Sequence, residues 1–392
     1  MISTAEAETR LRAHVRPAPG AVVPLDAAVG RVLREDVVAE RDYPPFDRVT
    51  MDGVALASAG WAPGRSFVVA AVQAAGEAPR VLPHAHACIE VMTGAVLPAG
   101  CDAVVRREDL RVEGGAVTVA AGVDVRAGQN VHVRGADRAA GAAVLHAGTR
   151  LLPPHVAVLA SEGRANVRVA ARPRVAVLTT GDELVEVGAP VLAHQIRQSN
   201  GAAMRAALAQ RGYAVAGVAH APDDAAVLRA RIREALRDAD VLVLSGGVSA
   251  GRFDLVPPAL AEAGVREVFH GVRQKPGKPL WFGVAASGQA VFGLPGNPVS
   301  ALVCLYRYVL PFLSATEGDA PAPATVHLLA VPPRNSDLTR FVPVRVEGGV
   351  ASALPWNTSG DSLALLPSDG FVEVEPQRTA PGLVPFYPWR AG

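Results

Sequence analysis

Short apolar runs recur through the middle of this chain, and each ends in a polar loop that carries glycine. Residues 174–178 run into Thr179-Thr180-Gly181-Asp182-Glu183, and 241–244 into Ser245-Gly246-Gly247-Val248-Ser249-Ala250-Gly251. Residues 290–292 run into Gly293-Leu294-Pro295-Gly296-Asn297-Pro298. Runs without polar alternation fit strands covered on both faces. Helical stretches at 199–211, 224–238, 255–263 and 299–313 separate them, with further strands at 213–219 and 267–270. This alternation predicts a doubly wound parallel sheet, which offers its functional groups at the carboxyl ends of its strands. The three loops are therefore expected on one edge.

The rhythm differs on either side. Residues 1–16 predict an amphipathic helix, with Ser3 or Thr4 as N-cap and Pro17 beyond its end. Pro44-Pro45 breaks the chain, and 46–133 reads as short strands (67–72, 88–91, 103–106, 117–119) between Gly and Pro turns. A helix is expected at 154–161, ending at Gly163. After an Ala-, Gly- and Pro-rich linker at 315–325, residues 326–392 return to short strands. The expected organisation is an α/β multidomain protein with four parts. A linking domain of mixed character covers 1–43 and 134–172, and an inserted β-rich domain covers 44–133. A central doubly wound parallel-sheet domain covers 173–316, and a C-terminal all-β domain covers 317–392.

Composition sharpens this picture in three places. The net charge of +1 argues against a dedicated nucleic-acid surface. Of 38 basic residues only Lys275 and Lys278 are lysine, and both lie in Lys275-Pro276-Gly277-Lys278-Pro279, which singles out that loop. The three cysteines, Cys88, Cys101 and Cys304, have no metal-ligand spacing and read as small buried hydrophobes. Residues 1–20 lack the apolar core of a signal peptide, and no stretch reads as a membrane span. A soluble cytoplasmic protein is the expectation.

Several loops carry residue types suited to an anionic ligand. Asp182 and Glu183 are adjacent carboxylates just past a strand, either a Mg²⁺ site beside a phosphate or a solvated acidic turn. Ser245-Gly246-Gly247-Val248-Ser249 allows backbone amides to approach a phosphate, though it is neither a P-loop nor GxGxxG. Asp254 either binds a ligand or caps the following helix. Pro295, Asn297 and Pro298 belong to a rigid loop that either presents backbone donors or only connects strand to helix. Asp52 before Gly53, Thr93 after a strand, and Asp137 near Arg134 are weaker candidates in the N-terminal half.

Six ordered strings together resemble one family. They are Pro44-Pro45-Phe46-Asp47 with Met51-Asp52-Gly53; Met92-Thr93-Gly94 with Gly100-Cys101-Asp102-Ala103-Val104-Val105; Thr180-Gly181-Asp182-Glu183-Leu184; the Ser245–Ser249 loop; the lysine loop; and the 293–298 loop. The chain resembles, over essentially its whole length, the molybdopterin molybdenumtransferases, which include bacterial MoeA and the gephyrin E domain. The resemblance implies insertion of molybdenum from molybdate into adenylylated molybdopterin, with Mg²⁺ assisting and AMP leaving. It implies that Asp182 and Glu183 bind metal and sit at the reaction centre with Asp52 and Asp137. Lys275, Lys278, Pro279, Arg340 and Ser359 would hold molybdate. Thr93, Asp223, Ser245, Gly246, Gly247, Ser249, Asp254, Pro295, Asn297 and Pro298 would contact substrate. A homodimer is implied, with Asp52 and Thr93 reaching the site from the partner, and a molybdopterin adenylyltransferase as upstream partner. The chain departs from the family pattern at Val54, Ala136 and Arg197-Gln198, where Tyr, Glu and Tyr-Asp are usual.

Overall fold

The computed structural model describes residues 1–249, 254–333 and 337–390. The chain divides into two compact units, Met1–Ala21 with Val169–Gly392, and Val22–Arg168.

The 22–168 unit contains a six-stranded mixed sheet in the order Ala103–Arg106, Gly53–Leu56, Ala87–Val91, Ser66–Gln73, Ala116–Val119, Leu110–Glu113. Only the Ser66–Gln73 and Ala87–Val91 pair is parallel. The sequence reading passed over two of these strands. Val54 and Leu56 point into one apolar cluster and Ala55 into another, so Gly53–Leu56 shows no alternation. Leu110–Glu113 forms a hairpin with Ala116–Val119 through Gly114-Gly115, both at positive φ, the turn that such a two-residue connection favours. Val54, where the family usually has Tyr, is buried in the first cluster. Cys88 is buried and Cys101 half-buried.

In the larger unit the central sheet has six strands in the order Val215–Ala221, Val175–Thr180, Val241–Ser245, Ala290–Leu294, Trp281–Ala285, Val265–His270. The first four are parallel, as expected. The last two run antiparallel to their neighbours, which corrects the expectation of an all-parallel sheet. The reason is a tight turn: Ala285 N donates to Gln289 O (3.0 Å), leaving no length for a helical crossover before Ala290. Strand direction leaves no mark on a run that is apolar on both faces, and Trp281–Ala285 was not foreseen as a strand. Separate apolar clusters cover the two sheet faces, one of them built around Phe269, Phe282, Phe292 and Phe312.

Helices Ser199–Gln210, Ala225–Asp238 and Val256–Glu262 fall close to their expected positions. Asp224 caps the second by accepting from the amides of Ala226 and Val227. The last helical stretch is α over Pro298–Cys304, π over Leu305–Val309 and α again over Leu310–Thr316. Pro311 has no N–H for the Arg307 carbonyl, and the widened turn just before it accommodates the loss. By length and hydropathy this 19-residue stretch could cross a membrane, which the sequence reading did not anticipate. Its apolar window is 78% buried inside the fold, the position of a core helix. Arg307 is buried, donating to Glu373 (2.8 Å) and to Glu8 (2.9 Å), and so ties this helix to the C-terminal strands and to the N-terminal helix Thr4–Arg12.

Five C-terminal strands close into a barrel: Thr339–Glu347, Val350–Ala353, Ala324–Leu328, Gly382–Pro388, Gly370–Val374 and back to Thr339–Glu347. The nine-residue strand Thr339–Glu347 divides one of its edges. Residues 344–347 pair with Val350–Ala353, while Thr339 and Arg340 pair in parallel with Gln274 and Lys275.

Candidate functional site

The carboxyl ends of the parallel strands open into a cleft of about 1480 Å³ in the larger unit. The sheet order reverses between Val175–Thr180 and Val241–Ser245, the position at which doubly wound sheets bind ligands. All three strand-end loops line this cleft, as the sequence predicts, and so do the lysine loop and barrel residues including Arg340 and Ser359.

Ser245 is buried, and its Oγ donates to Pro295 O (3.2 Å) and accepts from Asn200 Nδ2 (2.9 Å). Asn200 Nδ2 also donates to Gly296 O (2.7 Å), so one carboxamide fastens two of the loops to the start of a helix. Gly246 sits at φ +103, where a Cβ would lie 2.6 Å from Thr180 O and 2.7 Å from Thr180 Oγ1. Only glycine lets this loop rest on the neighbouring strand end. Thr180 Oγ1 is itself buried there without a partner among the described residues. Gly247 and Ser249 continue along the cleft wall, while Ala250 and Gly251 lie outside the described residues. The helix after this loop has Leu255 as its N-cap, and Asp254, just before it, lines the cleft.

The acidic turn departs in detail from its expected arrangement. Glu183 and Asp223 line the cleft, whereas Asp182 does not. Asp182 Oδ1 instead accepts from the backbone N–H of Asp223 (2.9 Å), bracing the turn. Burial, together with the negative charges of Asp182 and Glu183, holds the Asp223 carboxyl above the usual aspartate range. Among the described residues no group of three or more His, Cys, Asp or Glu is arranged to hold a metal ion. Gln198, in place of the usual Asp, is buried; it accepts from Thr179 Oγ1 (2.8 Å) and donates to Glu186 Oε1 (3.1 Å). Arg197 lines the cleft and donates to Ala189 O (3.1 Å).

At the other end the lysine loop shows its lysines outward and its Pro276-Gly277 centre inward. Pairing with the barrel strand sets Lys275 beside Arg340, whose Nη1 donates to the carbonyls of Pro332 (2.8 Å) and Pro333 (2.9 Å). Pro279 and Pro298 complete the lining. Asn297 Nδ2 donates to Ser359 Oγ (2.9 Å), and Val299 N to Ser359 O (3.1 Å), joining the third strand-end loop to the barrel. The sequence assigns no site role to Asn200 or to Gln274, a buried carboxamide directly before Lys275. Neither is itself charged or a glycine, although Gln274 directly precedes Lys275.

The remaining candidates lie in the 22–168 unit. Asp52 Oδ1 accepts from Thr93 N (2.6 Å) and Thr93 Oγ1 (2.7 Å), and these bonds hold its carboxyl below the usual aspartate range. Asp137 is not with them; it contacts His132 Nε2 at 2.9 Å. Ala136 forms a turn, its amide donating to Val133 O (3.1 Å).

Comparisons with known proteins agree with this geometry. Residues 2–163 match the model of the MoeA N-terminal region (domain I and II), and 176–315 that of a probable molybdopterin binding domain. A molybdopterin molybdenumtransferase from Synechocystis is 38% identical, covering 99% of this chain and 100% of that protein. Molybdopterin molybdenumtransferase 2 from Mycobacterium tuberculosis is 37% identical over 79% of this chain and 78% of its own length. A crystal structure of a molybdopterin biosynthesis MoeA protein from Pyrococcus horikoshii superposes with a TM-score of 0.84 at 29% identity, covering 100% of both chains. With the strand-end cleft, the lysine loop and full-length relatives in agreement, the chain belongs to the MoeA family of molybdopterin molybdenumtransferases.

Proposed function

We propose that this protein acts in molybdenum cofactor biosynthesis as a transferase, inserting molybdenum from molybdate into adenylylated molybdopterin with release of AMP. The observation that carries this reading is one cleft with a glycine cradle, a carboxylate turn and the chain's only two lysines. Each suits one part of the substrate pair. Positive-φ glycines at 246 and 247 leave backbone room for a phosphate. Lys275 and Lys278, compact point charges beside Arg340, suit a tetrahedral dianion.

Mg²⁺ fits the carboxylate turn. That ion needs only one or two protein carboxylates, with water and substrate phosphate supplying the rest. The Asp223 carboxyl, held up by desolvation and by the charges of Asp182 and Glu183, would be relieved by a cation. Glu183 and Asp223 would hold the ion, with Asp182 bracing the turn behind them. Bound there, Mg²⁺ would neutralise charge on the phosphoanhydride as AMP leaves. Glu183 keeps its carboxylate toward the cleft, the Gly246-Gly247 backbone holds the phosphate, and the lysine loop keeps molybdate close to the reacting group. We propose further that the protein works as a homodimer in which Asp52, bonded to Thr93, completes the site of the second copy.

The decisive assay supplies the full chain with adenylylated molybdopterin, molybdate and Mg²⁺ and follows AMP release. Glu183→Gln is expected to slow it by about 10²- to 10⁴-fold, the usual reach of one acid–base or charge-stabilising group. Wild-type rates in that variant would remove Glu183 from the reaction. The shared site has its own check: mixing inactive Glu183→Gln and Asp52→Asn chains should restore activity, and no recovery would refute it.

A further inference from the structure

We propose that Gln274 and Tyr308 are positioning residues for the oxyanion end of the cleft, holding the backbone between Lys275 and Lys278 in one conformation. The proposal rests on the reading of the lysine loop as the molybdate site. Gln274 is fully buried, and both ends of its carboxamide are engaged. Nε2 donates to Gly277 O (3.1 Å), the carbonyl midway between the lysines, while Oε1 accepts from the Tyr308 hydroxyl. Cys304 Sγ packs into the same space, 3.5 Å from Gln274 Nε2 and 3.8 Å from Gly277 O. A Cβ on Gly277, at φ +91, would lie 2.6 Å from both Gln274 Nε2 and Cys304 Sγ. The loop therefore rests directly on this buried group.

Backbone bonds fix the rest of the loop. Val272 N donates to Lys278 O (2.8 Å), Leu280 N to Gly277 O (3.2 Å), and Lys275 pairs with Arg340. Gly277 O thus accepts from below and from its own chain. Tyr308 belongs to the π turn, a feature frequent at functional sites. The extra residue in that turn belongs to a helix whose other end leaves the Asn297 wall of the cleft. One helix consequently sets both the oxyanion floor and the wall bonded to Ser359.

Two mobile lysines attract a dianion wherever they sit, but only a fixed pair discriminates between dianions of different size. Losing the clamp should leave long-range attraction intact and raise the dissociation rate. The test measures binding of molybdate, sulfate and AMP to the full chain by calorimetry, in the wild type and in Tyr308→Phe, Gln274→Met and Lys275→Ala. Tyr308→Phe removes one oxygen. It is expected to weaken molybdate about tenfold, the equivalent of one buried hydrogen bond, and to leave AMP unchanged. Its preference for molybdate over sulfate should fall by a similar factor. Gln274→Met, close in shape, can neither donate to Gly277 O nor accept from Tyr308; it is expected to weaken molybdate at least as much, again sparing AMP.

Wild-type molybdate affinity and selectivity in both clamp variants, with binding lost in Lys275→Ala, would overturn the clamp while leaving the oxyanion site in place. Equal weakening of molybdate and AMP would also overturn it, reducing the pair to general structural support. If Lys275→Ala binds molybdate as the wild type does, the oxyanion site itself is wrong and the clamp falls with it.

Discussion

Two acidic turns in this protein are built in opposite ways. In the 22–168 unit, Asp52 Oδ1 accepts from both the backbone and the hydroxyl of Thr93, and its carboxyl is held below its usual range. At the strand ends of the larger unit, Asp223 is largely exposed beside Asp182 and Glu183, and its carboxyl is pushed up by desolvation and by those two charges. The first turn is braced by its own chain. The second concentrates negative charge, with no ion pair to its carboxylates among the described residues. Adjacent acids in a sequence cannot distinguish these cases, because the difference lies in what the folded backbone brings alongside.

That contrast can be broken by measurement. The largest expected effect is on Mg²⁺-linked stability. At about a hundred times its dissociation constant, Mg²⁺ should stabilise the wild type against unfolding by about 2.7 kcal/mol, and Asp223→Asn should lose most of that gain. Thermal unfolding with and without Mg²⁺ reads this directly; equal shifts in both proteins would separate Asp223 from the metal. A smaller effect of opposite sign is expected without metal. A carboxyl whose folded pKa is raised contributes stability below the unfolded value and loses it as pH rises through the folded value. Asp223→Asn should then be more stable than the wild type at neutral pH, by about 0.5 kcal/mol for a largely exposed repulsion. The two should converge in acid, below the ordinary aspartate range. The smallest effect is expected at Thr93→Val, which removes the hydroxyl bond to Asp52. Here the folded pKa is lowered, so the contribution exists above the ordinary aspartate range and disappears as pH falls through the lowered value. The variant should be less stable only at neutral pH; a deficit that persists in acid would mean Thr93 acts through packing instead.

Much of the site was legible because its parts are contiguous strings. A glycine pair after an apolar strand, paired acids after another and the only lysines of the chain each declare themselves within a few residues. What escaped lies across the fold. Asn200 matters because it bonds Ser245 and Gly296 at once, a relation visible only when two strand ends lie side by side. Gln274 reads as an ordinary polar residue until Tyr308 arrives from a distant helix. Asp182, equal to Glu183 in sequence, turns its carboxylate to the Asp223 amide and away from the cleft. In the fold, helix positions were legible from periodicity, while the antiparallel reversal at Trp281–Ala285 was not, since buried strands of either direction share one composition.

The divided edge of Thr339–Glu347 has a consequence for how this chain can evolve or be redesigned. A closed barrel normally leaves no backbone groups for a visitor, yet here a short hairpin partner stops at Val344, and Thr339 and Arg340 accept Gln274 and Lys275 instead. The same row of amides and carbonyls is contested territory. Extending the Val350–Ala353 strand far enough to reach residue 340 would perfect the barrel as an isolated module while evicting the segment that holds the first lysine. A change that improves one domain by every local criterion would thus disarm its neighbour, and the shortness of that hairpin partner is what keeps the two compatible.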